Sequence, residues 1–509
     1  MVRLVARWSS TEKLLLVVLL LDVAVVRWIA LGTQFWLDEV WSWRLALEEM
    51  GSWADLLGSP RLQWDNNHLL NTAYIHLVGP QQDWRVYRLL AWVSGIASVA
   101  ATAWITVRQS RVSRWVTLVL VAFSFPLAVH SSEARGYAPA TMFALLAFGL
   151  QRLALERSRW WAPVLLQICV VLGYLSHLSF VFVHLALMAW SGWRLLSARA
   201  ERARWMLRMA LRWGSMHGVA LLFFGALYWI HVRHSLSLPG PLYPLVRILR
   251  HTIAHSMGSP LDGGLAWLAA ATVALAFACE LACMARQGED AWLFHLTAVA
   301  LAPTLVIAAL SPPTFYTRYF VVCLPFLYLV LGQLAGRLFA RSRPLALCAT
   351  LLVLLAVAGN LLRTYRFLAI GRGGYREALL EMARRTRGAE ISVGSNNDAC
   401  VADVLRFYSN LLPGGKRVRF RRGGVWVKSE AERLINPNPS RPLPTGERGL
   451  FVVDSWPRGG PDWLVVPSSE PVPERLPYVH IERGVRCWLK RIFPSYLLSG
   501  QTWYLYRCR

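Results

Sequence analysis

The stretch LLLVVLLLDVAVVRWIAL, residues 14–31, decides the fold class of this chain. A run of about 18 apolar residues is long enough to cross the hydrocarbon core of a bilayer, which is roughly 30 Å thick. The run follows a short basic segment with Arg3, Arg7 and Lys13, as a signal peptide would. It lacks a convincing small-residue cleavage site, however, and further apolar runs follow. We therefore interpret it as an uncleaved first transmembrane helix.

Comparable apolar runs recur over the first two thirds of the chain. Of the 509 residues, 55% are hydrophobic and only 16% are charged, whereas soluble domains carry roughly 25% charged residues. The mean hydropathy is +0.38. The predicted spans are 14–32, 89–107, 115–131, 138–153, 161–176, 178–196, 213–231, 264–284, 291–310, 319–336 and 345–362. The sequence thus predicts a mainly α-helical, polytopic membrane bundle of about 11 spans.

The formal net charge of +25 is explained by where the basic residues lie. With the N-terminus in the cytoplasm, every inside loop carries arginine, as the positive-inside rule requires. These loops are 108–114, 154–160, 197–212, 285–290 and 337–344. The distribution therefore favours a membrane protein over a nucleic-acid-binding protein, and an odd number of spans places the C-terminus outside. Lysine is scarce, which is typical of a high-GC bacterium, so we expect a multi-pass protein of the bacterial inner membrane.

Two domains are predicted, a transmembrane domain over residues 1–365 and a soluble domain over 366–509. The transmembrane domain has two long outer loops, 33–88 with amphipathic helices and 232–263. In the soluble part, the patterns predict helices at 374–387 and from Asp398 to about Leu411, and strands at 390–394, 449–455 and 463–467. Alternating strands and helices indicate a periplasmic α/β domain. Cys400, Cys487 and Cys508 leave one disulfide possible there, without a readable pairing.

The first polar segment that could carry chemistry is FWLDEVWSW at 35–43, just outside the first span. Asp38 and Glu39 lie among aromatic residues at the membrane surface. Loss of hydration raises the pKa of a carboxylate and suits it to abstracting a proton, so Asp38 could be a general base. The alternative is structural, because acidic residues also favour the first turn of a helix.

The second segment is QWDNNHLLNTAYIH at 63–76, where Asp65 and His68 precede a predicted amphipathic helix. Histidine and asparagine side chains can bind phosphate oxygens or sugar hydroxyls. The alternative is capping, since Asp and Asn commonly begin helices.

Two further segments, HSSEARGYAP at 130–139 and PPTFYTRYF at 312–320, lie on outer loops close to the hydrocarbon. Burial of charge there is costly, so Glu133 and Arg135 require a partner or a ligand. Arg135 suits a phosphate that Glu133 helps to orient, and Arg318 with Tyr319 could hold a second face of the anion. The alternatives are an internal Glu133–Arg135 ion pair and an interfacial anchor at Arg318. Inside the first span, Asp22 and Arg27 could pair with each other or with other spans.

All four segments fall on the outer membrane face, under a topology that was derived from the arginines alone. They would give one outward pocket with carboxylates, two arginines and a histidine beside the lipid. Such a pocket suits a lipid-borne phosphate as the leaving group and a polar acceptor that arrives from outside.

These motifs, in this order, resemble the GT-C glycosyltransferases, specifically the bacterial dolichyl-phosphate-mannose-protein mannosyltransferase-like group. The resemblance covers roughly residues 10–365 and also includes Arg88 in DWRVYRLLAWVSG, Tyr137 two residues after Arg135, and Pro325 after the late Arg-Tyr pair. Many relatives have His-Pro-Pro where this chain has His68-Leu69-Leu70.

By this resemblance the enzyme transfers a sugar, with inversion, from a polyprenyl-phosphate donor to an acceptor outside the membrane. Asp38 is then the base, Glu39 supports it, and Arg135 and Arg318 hold the phosphate. The resemblance predicts a substrate-binding set of eight residues: Asp65, His68, Arg88, Glu133, Arg135, Tyr137, Arg318 and Tyr319. The acceptor, a glycan, lipid or protein, is not identified.

Two alternatives share parts of this pattern. A ligase could move a whole oligosaccharide from a polyprenyl diphosphate, and a lipid-glycan transporter would need no catalysis. Transporters usually place polar residues at mid-membrane, which the outer clustering disfavours. No cofactor is predicted, and a divalent metal is possible but not indicated, because the base and phosphate stabilisation suffice for displacement.

Overall fold

A computed structural model describes residues 8–58, 68–157, 159–197, 203–234, 244–310, 316–422, 451–455, 461–468, 478–480 and 485–509. The helices are α1 (Ser10–Leu31), α2 (Leu37–Arg44), α3 (Leu69–Val78), α4 (Arg85–Thr106), α5 (Arg111–Phe123), α6 (Phe125–His130), α7 (Tyr137–Arg157), α8 (Trp161–Ser176), α9 (Val181–Ser197), α10 (Ala203–Ile230), α11 (Leu245–Met257), α12 (Gly264–Arg286), α13 (Trp292–Leu296), α14 (Ala302–Leu310), α15 (Leu324–Arg341), α16 (Arg343–Ile370), α17 (Tyr375–Arg385) and α18 (Asp398–Ser409). Single short turns of helix lie at Leu45–Glu49, Asp55–Gly58, Leu178–Phe180, Val232–His234, Thr297–Leu301 and Thr317–Cys323.

The described residues form two compact units. The first, the membrane unit, consists of residues 8–31, 45–234 and 244–364. The second, the soluble unit, takes the described residues from 365 to 509 together with 32–44. The short segment 32–44, which carries Asp38 and Glu39, therefore folds with the C-terminal part of the chain.

Within the described residues, nine helices are long and apolar enough to cross a membrane. They include α1, α4, α7, α10, α12 and α16, and the helical segments Leu178–Ser197, Trp292–Ala309 and Thr317–Arg341. The chain is thus a multi-pass membrane protein, as the sequence predicted. Two of the eleven predicted spans are not among these nine. The span predicted at 161–176 is α8, which has only 16 residues, and the span predicted at 115–131 is divided between α5 and α6.

The span predicted at 115–131 is broken into two helices near a proline. Ser124 leaves the helical conformation, and Pro126 lies in the first turn of α6, where its missing N–H is tolerated. The Phe125 N–H, released at the break, donates to the Asn360 side chain at 2.8 Å. The break therefore leaves this backbone donor satisfied inside the bundle.

The centre of the membrane unit is built from α7, which packs against α4 and α8, and from α15, which packs against α5. About 72% of the apolar stretch of α7 is buried inside the bundle, whereas only 28% of the apolar stretch of α1 is buried. On α1, Arg27 is buried while Asp22 is exposed. Of the alternatives suggested for these two residues, the pair of Asp22 with Arg27 is therefore wrong, because five helical residues turn the two side chains to different faces.

The soluble unit contains a seven-stranded mixed sheet within its described residues. The strands are β1 (Glu390–Ser395), β2 (Arg417–Arg422), β3 (Phe451–Ser455), β4 (Trp463–Ser468), β5 (Tyr478–His480), β6 (Arg486–Phe493) and β7 (Thr502–Cys508). Their order is β3-β2-β1-β4-β7-β6-β5, parallel from β3 to β4 and antiparallel beyond. Every residue of β4 is buried, as expected of a central strand in a sheet covered on both faces.

The predicted fold class, a helical membrane bundle with a soluble α/β domain, is confirmed. The predicted helices at 374–387 and from Asp398 correspond to α17 and α18. A disulfide joins Cys487 on β6 to Cys508 on β7, which face each other in the ladder, whereas Cys400 is not part of a disulfide. The cysteine pairing that the sequence left open is thereby answered.

Candidate functional site

In the membrane unit, the start of α3 is fastened to the loop between α6 and α7. His68 stands immediately before α3, and its Nδ1 accepts a hydrogen bond from the Gly136 N–H at 3.0 Å. One turn later, the Asn71 side chain donates to the Ala134 carbonyl at 2.7 Å. His68 is therefore held by a backbone donor of a segment 68 residues away in the chain.

Gly136 allows a third segment to approach the same place. A Cβ at position 136 would lie 1.7 Å from the Ser176 carbonyl oxygen at the end of α8. No side chain fits there, so glycine is required by the close approach. The residue after Ser176 is His177, whose Nδ1 accepts from the Ser179 N–H at 3.0 Å and so caps the following turn.

These segments bring five rings together, and we call them the histidine cluster: His68, His130, Tyr137, His177 and Tyr319. Tyr137 lies at the centre, with its ring centroid 5.1 Å from that of His68, 4.7 Å from His130 and 4.5 Å from His177. Tyr319 extends the cluster at 5.7 Å from His177. These edge-on and tilted ring contacts hold the histidine rings in place.

Glu133 is wholly buried beside the cluster. One of its carboxylate oxygens lies 2.7 Å from the His130 Nδ1. The carboxylate and the imidazole therefore form a buried pair, and this short bond fixes the orientation of the His130 ring.

Two arginines place positive charge on this cluster. Burial lowers the pKa of His68 well below 6.5, and the charges of Arg135 and Arg318 lower it further. The pKa of His177 is lowered by burial and by the same two arginines. The Arg318 guanidinium also lies over the Tyr316 ring, 4.6 Å from its centroid. The site therefore combines uncharged histidines with a local excess of positive charge, a combination suited to an anion.

Arg88, another member of the predicted substrate-binding set, contacts the end of α1. The fully buried Arg88 donates to the Leu31 carbonyl at 2.6 Å and so satisfies a backbone oxygen at the end of α1. Asp65 lies outside the described residues.

In the soluble unit, residues 32–44 form what we call the acidic segment. Asp38 and Glu39 lie in the first turn of α2, and both are buried. A Glu39 carboxylate oxygen accepts from the Trp36 N–H at 3.3 Å, so Glu39 also caps the helix start. The Tyr375 hydroxyl of α17 interacts electrostatically with both carboxylates.

The acidic segment is anchored on α18. The Tyr408 hydroxyl donates to the Phe35 carbonyl at 2.9 Å and accepts from the Phe35 N–H at 2.8 Å. The buried Asp403 carboxylate accepts from Trp41 at 2.9 Å and forms an ion pair with Arg44 at 3.0 Å. Both backbone groups of Phe35 are thus satisfied, and the helix that carries Asp38 is held at both ends.

Six of the eight predicted substrate-binding residues therefore lie in or beside the histidine cluster. His130 and His177 belong to the same group but were absent from the predicted set. His130 begins the segment quoted for Glu133, and His177 lies in the tight turn between two predicted spans. A search for polar residues at the ends of apolar runs could have found both.

The chain has the GT-C fold, as a comparison with solved structures shows. Two similar solved structures are crystal structures of ArnT from Cupriavidus metallidurans. The apo state has 14% sequence identity and a TM-score of 0.52 over 88% of this chain and 92% of that one. The state bound to undecaprenyl phosphate has 13% identity and a TM-score of 0.51 over 98% of each chain.

No protein-family model matches the sequence, and no curated protein matches it either. The likeness to ArnT is therefore one of fold, at a sequence identity too low to carry residue roles across.

Proposed function

We propose that this protein is an inverting glycosyltransferase that takes a sugar from a polyprenyl-phosphate donor and transfers it on the outer face of the bacterial inner membrane. The observation that carries the proposal is the charge on the histidine cluster. Burial lowers the pKa of both His68 and His177, and the charges of Arg135 and Arg318 lower it further. An anionic group bound there would be stabilised by the two arginines.

A lipid phosphate is the anion that fits this environment. In sugar transfer the bond between the anomeric carbon and the phosphate oxygen breaks, and the lipid phosphate leaves with an added negative charge. Guanidinium groups match phosphate oxygens in charge and geometry, and such groups accelerate a reaction by stabilising the charge that develops. The ArnT crystal structure with bound undecaprenyl phosphate supports a carrier of this kind.

Asp38 is the proposed general base. It takes the proton of an acceptor hydroxyl or amine, whose oxygen or nitrogen then attacks the anomeric carbon from the face opposite the phosphate. One displacement inverts the anomeric configuration. Glu39, which caps the start of α2, supports the position of Asp38.

The other predicted residues retain supporting roles in the proposal. Glu133 helps to orient the phosphate at Arg135, and the rings of His68, Tyr137 and Tyr319 form the walls of the site. Asp65 and Arg88 remain predictions as substrate-binding residues. The Cys487–Cys508 disulfide supports an extracytoplasmic soluble unit, since structural disulfides persist in oxidising compartments.

The test is a transfer assay with purified protein in lipid nanodiscs. Radiolabelled sugars on polyprenyl phosphate and on polyprenyl diphosphate are supplied with an envelope extract as the acceptor source. We expect label to move from one or more monophosphate donors, with inverted configuration in the product. Transfer from diphosphate-linked oligosaccharide alone would identify a ligase, and no transfer from folded protein would favour a transporter; either result overturns the proposal.

A further inference from the structure

Arg27 is a buried charged residue of the membrane unit that the proposed function does not use. It lies in α1, a helix whose apolar side chains are largely exposed, yet its own side chain is only 2% exposed. Its two terminal nitrogens, Nη1 and Nη2, have no hydrogen-bond partner among the described residues. An ionisable group inside a membrane span is expensive, and it generally marks a site with a ligand or partner.

A small cavity lies beside the Arg27 guanidinium. Its polar lining includes Arg27, Ser98, His130, Ser131 and Thr141. The volume that the centre of a water molecule can occupy in this cavity is about 10 Å³. This is close to the minimum volume that a single buried water requires. The cavity is therefore of a size for one water molecule and small for a hydrated or polyatomic ion.

Gly95 makes room for the guanidinium at this cavity. A Cβ on residue 95 would lie 2.5 Å from the Arg27 Nη1 and 2.4 Å from the Ser131 Cβ. The guanidinium of Arg27 therefore occupies space that a side chain at position 95 would take. This close contact between position 95 and the guanidinium is independent evidence that the helices pack around the charged group.

The hydrogen-bonding groups around the cavity are complementary to water. The Ser98 and Thr141 hydroxyls donate to backbone carbonyls of their own helices at 2.8 and 2.9 Å, so their oxygens remain as acceptors. The His130 Nε2 is buried without a hydrogen-bond partner among the described residues, while its Nδ1 bonds Glu133. When Nδ1–H donates to the Glu133 carboxylate, Nε2 carries a lone pair and also accepts.

We propose that this cavity binds one ordered water molecule, which accepts a hydrogen bond from Arg27 and donates one to the His130 Nε2. The chain Arg27–water–His130–Glu133 then fixes the tautomer of His130 and the position of the Glu133 carboxylate. Arg27 is accordingly a positioning residue that acts through His130. The inference rests on the proposed function only in giving Glu133 a role at the donor phosphate.

The direct test is nitrogen NMR of the full chain, labelled with ¹⁵N-histidine, in nanodiscs. The His130 signals are assigned by their loss in His130→Asn. In the wild type we expect a protonated Nδ1 and an unprotonated, hydrogen-bonded Nε2. In Arg27→Met the Nε2 signal should move to the position of an unbonded imine nitrogen, whereas Asp22→Asn, on the exposed face of the same helix, should leave it unchanged.

A protonated Nε2 in the wild type would overturn the proposal, because the water could then not donate a hydrogen bond to His130. An unchanged Nε2 signal in folded Arg27→Met would overturn it as well. The wild-type measurement stands even if Arg27→Met does not fold, and it needs no transferase activity, so it separates this inference from the proposed function. Where transfer is detected, we expect kcat of Arg27→Met to fall about tenfold, the effect of one hydrogen bond, with KM nearly unchanged.

Discussion

The histidine cluster and the acidic segment carry the residues assigned to one reaction, yet they are held in place by different means. The histidine cluster is fixed inside the membrane unit by a buried backbone donor, the Gly136 N–H, and by close contacts between its rings. The acidic segment is fixed inside the soluble unit by side chains of α18, such as Tyr408, which is 373 residues from Phe35 in the chain. One set of contacts depends on close packing and the other on polar side chains, so different substitutions should disturb each.

The largest effect is expected at the acidic segment, from Asp38→Asn. The amide cannot take a proton, so turnover should fall by about 10² to 10⁴, the usual contribution of a general base. The measurement is initial transfer rate at saturating donor. Asp22→Asn makes the same chemical change at an exposed site of α1 and should retain the rate. Full activity in Asp38→Asn would remove Asp38 from the role of base.

The next effect is expected at the histidine cluster, from Gly136→Ala. The added methyl would collide with the Ser176 carbonyl, and overpacking of this kind costs about 1–3 kcal/mol. Thermal unfolding of the membrane unit should therefore occur at a clearly lower temperature. Gly218→Ala is the matched control, because a Cβ there meets nothing within 4 Å. Equal unfolding temperatures for the two variants would show that the segments around Gly136 do not pack as described.

A smaller and more local effect is expected from Asp403→Asn. The substitution weakens the bonds that hold Trp41 and Arg44, and a bond to a charged group is worth about 1.5–3 kcal/mol. Amide hydrogens of residues 32–44 should exchange at least about tenfold faster in hydrogen-exchange mass spectrometry. The control is Asp462→Asn, which changes a half-exposed ion-pair partner of Arg507 in the same unit. It should leave the exchange rates of residues 32–44 unchanged. Unaltered exchange in Asp403→Asn would mean that α18 does not anchor the segment.

The smallest effect concerns pH and is confined to the histidine cluster. The folded protein keeps His68 neutral because its pKa is lowered, whereas the unfolded imidazole gains a proton below about 6.5. The unfolded state therefore binds more protons, so stability should fall as the pH drops from 7 to 5. His68→Asn keeps an acceptor for the Gly136 N–H but cannot titrate, so its unfolding temperature should depend less on pH. His234→Asn, at an exposed site, should not alter the dependence of unfolding temperature on pH. Equal slopes of unfolding temperature against pH in the wild type and in both variants would contradict a buried, neutral His68.

The sequence predicted the elements whose signals are local. The apolar runs located the spans, and Glu133, Arg135 and Arg318 were found because charge beside hydrocarbon is costly. Strand β2 was missed, although its alternation of Arg417, Val418, Arg419 and Phe420 is a strand signal. By contrast, no local pattern could pair Phe35 with Tyr408 or place Gly136 against Ser176, because those contacts join distant parts of the chain and arise only from tertiary packing.

The measurement that tests the account most directly is binding of undecaprenyl phosphate to purified protein in nanodiscs. The wild type is compared with the double variant Arg135→Gln/Arg318→Gln and with Arg233→Gln, whose guanidinium stacks on Trp229 at an exposed site. If the two arginines hold the donor phosphate, the double variant should bind about 100-fold more weakly, while Arg233→Gln binds as the wild type does. Equal affinity in a folded double variant would contradict the central claim that these arginines bind the lipid phosphate.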